Sequence, residues 1–376
     1  MRLPPRSIMH LTVGVGPPIS ALPAEIDVGL PLVKAALLYG DRVTLCSPSA
    51  SLLVRLQRHH PASMDERLDV LTGLSGDLGL GDAPARLRAL LEEGRLGLED
   101  ARPAVDRWWA RYRAGLREAL AASGFLDLEA AVAAGRLEVE TLGVGPVVRP
   151  SDFARAAAET YASVVRRAVA SGDTVPLVDG PTAHVLRRAV MSGQLVVSRP
   201  RIARSRDGGL AADVLHRLPL FDRATVAEVL DIRTDLGAPL ARFRAAISEF
   251  SGEVSSAAWD TDFSVEAARI YQRRVAPAIA DIEDAVASVG YLRELTSRYA
   301  ERPQQFVPLA APLLTVAVTS SSAIVQAVSA VLSGLSVGAN AGQAWLAARD
   351  ARRDVEARRL FFVYAAGRRL RGLEGG

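Results

Sequence analysis

Cysteine is almost absent from this chain. Cys46 is the only one in 376 residues, so no disulfide can form within the chain and no thiolate cluster can hold a metal. It sits in "RVTLCSPS", an apolar, strand-like run where a buried, inert thiol is expected rather than a nucleophile. Lysine is equally scarce, with Lys34 the lone lysine among 45 basic residues. Guanidinium groups can grip phosphate or carboxylate with two parallel bonds. The same bias also follows from a high-GC genome, whose codons favour Arg, Ala and Gly. Aromatic residues make up 5% of the chain against 49% apolar residues in all, so the core is expected to be Ala, Val and Leu. Such side chains pack helices closely and leave few broad surfaces for stacking ligands. The net charge is only +3, too small for a general attraction to nucleic acid or anionic lipid.

Catalytic signatures are scarce as well. No Gly-Lys-Ser/Thr phosphate loop occurs. The five histidines, His10, His59, His60, His184 and His216, include no helical i, i+4 pair with a Glu between them, as a zinc protease needs. His59 and His60 are adjacent and would point about 100° apart on a helix, which prevents them from sharing one ion easily. "GVGP" occurs at Gly14–Pro17 and again at Gly143–Pro146, each time after a strand-like run. Such a turn can bring backbone N–H groups to a phosphate. The dinucleotide fingerprint, however, needs a third glycine opening a helix, and Pro17, Pro18 and Ile19 stand there instead, which favours ordinary turn chemistry. Asp260 and Asp262 form a D-x-D, a metal-nucleotide ligand pair in some transferases. Placed just before a helix with Ser264, they fit capping better. No metal and no cofactor are expected.

What the sequence does contain is helical periodicity. "IMHLTVGVGPP" reads as a strand ending in a turn, "LPLVKAALLYGD" as a helix, "RVTLCS" as a second strand and "SPSASLLVRLQRHH" as a helix opened by serines. The chain therefore begins β-α-β-α. Helical patterns follow at "MDERLDVLTGL", "APARLRALLEEG" and "ARPAVDRWWARYRAGLREALAASG". A strand-like "RLEVETLGV" precedes helices at "SDFARAAAETYASVVRRAVASG" and "PTAHVLRRAVMSG". Residues 1–193 form this N-terminal α/β and helical region, 194–222 an irregular arginine-rich connection, and 223–376 a helical C-terminal region.

In that last region Leu236, Leu240, Phe243, Ile247, Phe250 and Val254 recur at heptad steps. Val275, Ile279, Ile282, Val286 and Val289 repeat the pattern after "SSAAWDTDFS". Two neighbouring seams joined by a short connection predict an antiparallel helical hairpin, with Phe243, Ile247, Ile279 and Ile282 buried. Each seam packing on the rest of its domain is the alternative. Gly237, Pro239 and Pro277 predict kinks or restarts.

Two basic features raise nucleic-acid binding. Arg199, Arg201, Arg204 and Arg206 in "SRPRIARSRDGG" are candidate contacts to an anion or a phosphate backbone if the segment is a loop. "DRWWARYR" adds Trp108 and Trp109 beside Arg107, Arg111 and Arg113, a composition used by single-strand binders. Trp108 and Tyr112 are one helical turn apart, however, as in a packing pair. The low net charge argues against a specific nucleic-acid site at either place.

From Pro303 to Ala348 the chain carries no charge at all. A helix from Pro312 to Leu335 would just span a bilayer, which takes about 20 apolar residues. Yet Ser322, Gln326, Ser329, Ser333 and Ser336 form a polar stripe opposite Ile324, Val328, Val331 and Leu335. The hydroxyl run Thr319–Ser322 suits a helix start, leaving a helix of about 20 Å against a hydrocarbon core of roughly 30 Å. A segment buried in a soluble protein is the expectation, and a membrane-active segment at 307–346 the alternative.

"LLYGDRVTLCSP" and "ATVAEVLDIRTDLGAPLARFRAAI" resemble segments of uncharacterised bacterial proteins, mainly of the high-GC actinobacterial kind. The resemblance covers about a tenth of the chain and implies no catalytic positions. The fold expected is mostly α, with a small N-terminal α/β element followed by a helical body with a kinked antiparallel hairpin. The function expected is a cytoplasmic, non-enzymatic interaction or assembly protein, acting through a protein partner or by self-association. A membrane-active protein and an enzyme with a scattered site are the alternatives.

Overall fold

A computed structural model describes residues 8–16, 28–58, 61, 63–76, 78–142, 150–170, 173–287, 350 and 352–372. The protein is mostly α-helical with a small parallel sheet, as the patterning predicts. It divides into two compact units. The first comprises Met1–His216, Asp222–Arg233 and Val254–Glu266, the second Arg217–Phe221, Thr234–Glu253 and Ala267–Gly376.

The first unit is built on strands β1 (His10–Gly14), β2 (Arg42–Cys46), β3 (Leu137–Val139) and β4 (Val175–Val178) in the order β3-β2-β1-β4. Each pairing is parallel, with Leu11 opposite Val43 on one side and Val175 on the other. Parallel strands need helical crossovers, and helices covering both faces explain why β1 reads as a nearly continuous apolar run. Leu11, Val13, Leu45 and Cys46 are fully buried.

The crossovers begin with α1 (Leu30–Tyr39) and α2 (Pro48–Arg58). Helices α3 (Met64–Gly73), α4 (Ala83–Glu92), α5 (Leu98–Ala122) and α6 (Phe125–Ala133) then intervene before β3. Ser63 caps α3 by accepting the Glu66 N–H at 3.2 Å. Leu68, Leu71, Val105 and Tyr112 form a core for α3 to α5, with Trp108 and Trp109 packed against it. After β3 come α7 (Pro150–Ala170), then β4, α8 (Gly180–Met191) and α9 (Arg199–His216). α2 packs on α7, and α1 on α9.

Two elements depart from the sequence reading. β4, "VPLV", carries Pro176 inside the strand, which obscures it in sequence. It lies at the edge of the sheet, where a missing N–H is tolerated. The segment predicted to be an irregular connection at 194–222 contains α9, an 18-residue helix. Its Gly208-Gly209 step reads as a helix breaker but serves close packing. A Cβ on Gly208 would lie 2.6 Å from Val175 Cγ1, and one on Gly209 2.7 Å from Phe263 Cζ. The absence of side chains lets the helix backbone come down onto β4.

Helix α10 (Val226–Asp235) opens with a reciprocal cap. Thr225 Oγ1 accepts the Glu228 N–H at 3.2 Å, and the Glu228 carboxylate accepts the Thr225 N–H at 2.7 Å. Helix α11 (Gly237–Ser251) restarts at Gly237 after Leu236, as the glycine and Pro239 predict. Helix α12 (Phe263–Ile270) runs into a π-helical turn at Tyr271–Val275, just before Pro277. Proline offers no N–H and its ring crowds the carbonyl four residues back, so the wider turn relieves both problems. Helix continues over 276–287, and α13 (Phe361–Gly372) closes the described chain.

In the second unit, Leu240, Phe243, Ile247 and Phe250 are buried on α11, and Phe243 stacks on Phe362 of α13 at 5.3 Å. Val275, Ile282 and Ala285 are buried on the following helix, while Ile279, predicted buried, is half-buried. Among the described residues no helix is long and apolar enough to cross a membrane. The charge-free run at 303–348 and Val289 lie outside the described residues.

Candidate functional site

β2 and β4 flank β1 on opposite sides, so the chain reverses its direction of winding between β1 and β4. In open parallel sheets, ligands bind outside the carboxyl ends of the strands at such a point. Three turns converge there, Gly14–Val15–Gly16 after β1, Cys46–Ser47 after β2, and Asp179 after β4.

Asp179 dominates the geometry. One carboxylate oxygen accepts the Gly16 N–H at 2.8 Å, and the other accepts the Thr182 N–H at 2.8 Å, capping α8. The Asp179 N–H donates to the Gly14 carbonyl at 3.1 Å, and the Val15 N–H to the Cys46 carbonyl at 3.0 Å. The Tyr161 hydroxyl shares a short hydrogen bond with Thr182 Oγ1. The glycines are needed for close approach, since a Cβ on Gly16 would sit 3.3 Å from both Pro181 Cβ and Thr182 Oγ1. Ser47 Oγ accepts the Ala50 N–H at 3.3 Å, and Ser51 Oγ accepts the Leu142 N–H at 3.2 Å. The Gly16 and Thr182 N–H groups, which on a glycine turn and a helix N-terminus could face a phosphate, are thus taken by Asp179. Gly14–Gly16 form a turn after β1, while Pro17 and the second "GVGP" lie outside the described residues.

The titratable groups nearby are tied down too. Burial, helped by the Glu140 charge, pushes the Cys46 thiol up to about 12, far from the thiolate a nucleophile requires. Burial also carries the Tyr161 phenol well above its usual range. Away from this point, at the amino end of β1, His10 Nε2 shares a hydrogen bond with Thr44 Oγ1 at 2.9 Å; burial and then the Arg42 charge lower its basicity.

Lys34 is buried on α1 and donates to the Asp222 carbonyl at 3.0 Å. Burial pulls its pKa down, and the carboxylates of Asp127, Asp222 and Glu228 oppose that pull. Asp127 also accepts the Val226 N–H at 2.9 Å, so this cluster fixes the start of α10. Arg233 acts at the other end of α1, donating to the Leu37 and Leu38 carbonyls at 3.1 Å each and pairing with Asp41 at 2.6 Å.

The four arginines singled out in the sequence are not gathered on a loop. On α9, at about 100° per residue, Arg199 and Arg206 point to one side and Arg201 and Arg204 to the other. Arg206 donates to the Ser255 and Ser256 carbonyls, and Arg204 is also engaged. Asp260 of the D-x-D accepts the Ala257 N–H at 2.8 Å and so holds its own turn. Among the described residues, no group of three or more His, Cys, Asp and Glu is placed to hold a metal ion.

Asp179 does not stand out in the sequence, because its partner Gly16 lies 163 residues away. The signal was present in "VDGPT", an Asp before a Gly-Pro helix start. Trp108 and Trp109 face inward rather than stacking outward. Trp109 lies 4.7 Å from Tyr112, with the Arg67 guanidinium 5.8 Å from its ring centre. No protein-family model, no curated protein and no solved structure matches this chain.

Proposed function

We propose that this is a non-enzymatic, helical interaction protein of the cytoplasm, whose α/β unit serves as a rigid platform. The observation that carries the reading is the Asp179 carboxylate, bound at once to the Gly16 and Thr182 N–H groups at the sheet's switch point. A nucleotide or other anionic cofactor entering there would meet a negative charge and find its donors taken. Partner recognition then falls to the helical surfaces, with a second copy of the chain or another protein as the occupant. A thermal-shift panel of nucleoside triphosphate, dinucleotide and inorganic phosphate tests this, using parent and Asp179→Asn protein. No saturable stabilisation is expected with either. A saturable shift in the parent that Asp179→Asn removes would make the switch point a ligand site and the protein a candidate enzyme.

A further inference from the structure

α5 is a 25-residue helix with two unlike faces. Its inner face buries Ala101, Val105, Tyr112 and Leu120. Its outer face exposes Arg107, Arg111, Arg113 and Arg117, and none of the four makes an ion pair with a described residue. Neighbouring carboxylates are committed elsewhere, Asp106 to Arg67 at 3.0 Å and Glu99 to Arg102 at 2.9 Å. Glu118 is exposed on the same face and does not balance four guanidinium groups.

Like charges one turn apart disfavour an isolated helix, so these arginines contribute nothing evident to the fold. Helical geometry sorts them into two rows, Arg107 with Arg111 and Arg113 with Arg117. The exposed Ala110 and Ala114 lie between the rows. From Arg107 to Arg117 the face is about 15 Å long.

From this geometry we infer that the arginine face of α5 docks an acidic helix of a protein partner. The inference rests on the interaction reading above and names the partner's chemistry. Asp or Glu side chains at i, i+4 match the pitch of each arginine row and give bidentate pairs. The alanine strip between the rows lets the partner's backbone approach closely. A single-stranded nucleic acid fits less well, because the stacking rings it would use, Trp108, Trp109 and Tyr112, are packed into the core of α3 to α5.

The test is fluorescence anisotropy with the full chain at about 150 mM salt. The probe is a labelled helical peptide with Glu at i, i+4 on both flanks of an Ala/Leu spine. A scrambled peptide of the same composition and a single-stranded oligonucleotide are run beside it. The designed peptide is expected to bind, and the scrambled one roughly tenfold more weakly. Arg113→Glu/Arg117→Glu should weaken binding by roughly tenfold or more, while Arg199→Glu/Arg201→Glu, an equal charge change on α9, should leave it intact. If the reversed pair misfolds by circular dichroism, Arg113→Gln/Arg117→Gln takes its place. Equal loss in the α9 control, no preference over the scrambled peptide, or tighter oligonucleotide binding through the same arginines would each overturn the inference. None of these results bears on ligand binding at Asp179, so the two readings fail separately.

Discussion

Two carboxylates, Asp179 and Glu266, each gather several hydrogen-bond donors. Asp179 satisfies one N–H in the β1 turn and one at the start of α8. Replacing it with Ala leaves both without a protein partner. Loss of a helix cap costs about 1 kcal/mol and an orphaned part-buried N–H about 1–3 kcal/mol. Asp179→Ala should therefore lower the urea midpoint clearly more than Asp179→Asn, whose one amide oxygen can keep one of the two bonds. Equal midpoints would mean the bridge is not made in solution.

Glu266 makes a different, pH-dependent prediction. Hydrogen bonds from the Ser256 and Ser255 hydroxyls, and then from backbone N–H groups, hold its carboxyl down at about 2 from an ordinary 4.5. A depressed carboxyl stabilises the fold fully above its unfolded-state value and loses that contribution as pH falls toward the folded one. Glu266→Gln should thus be less stable than the parent at neutral pH, with the gap narrowing between about 4.5 and 2. Urea unfolding at several pH values reads it. A gap that stays constant through that window would show that the Ser255 and Ser256 hydrogen bonds do not hold the Glu266 carboxylate.

At the scale of elements, the glycines separate packing from propensity. Gly208 on α9 faces Val175 with no room for a Cβ, so Gly208→Ala should destabilise by about 1–3 kcal/mol. Gly115 on α5 has nothing within 4 Å of an added Cβ, so Gly115→Ala should stabilise by up to about 1 kcal/mol. Thermal unfolding of the two variants should move in opposite directions. In the second unit, Phe243 is fully buried against Phe362, and Phe243→Ala should cost about 3–5 kcal/mol. An unchanged melting temperature would show that the α11 seam does not pack.

These same elements show what sequence can and cannot reveal. β1, α1, β2 and α2 were legible because apolar runs of strand length alternate with a helical period and end at Gly or Ser. The heptad on α11 was legible for the same reason. β4 and α9 were not, because Pro176 and Gly208-Gly209 are local breakers whose cost is offset by position, at a sheet edge and under a close helix–strand contact. The exposed arginine face of α5 was only half visible. The sequence displayed the arginines, but only the packing of Trp108, Trp109 and Tyr112 revealed which side of the helix faces outward.

For the molecule as a whole, the question is where its function resides. The charge-free run at 303–348 suits a buried segment by its serine stripe, and expressed protein fractionated without detergent is expected in the supernatant. A pellet that resists carbonate extraction would instead put 307–346 in a bilayer. For the α/β unit, the function proposed has Asp179 closing the switch point and leaves recognition to helical surfaces. Titration of amide resonances in protein labelled with 15N at glycine and threonine tests it most directly. The Gly16 and Thr182 signals should stay in place as nucleoside triphosphate or inorganic phosphate is added to millimolar concentration. A saturable shift of both signals, lost in Asp179→Asn, would contradict the account and make the end of the sheet a binding site.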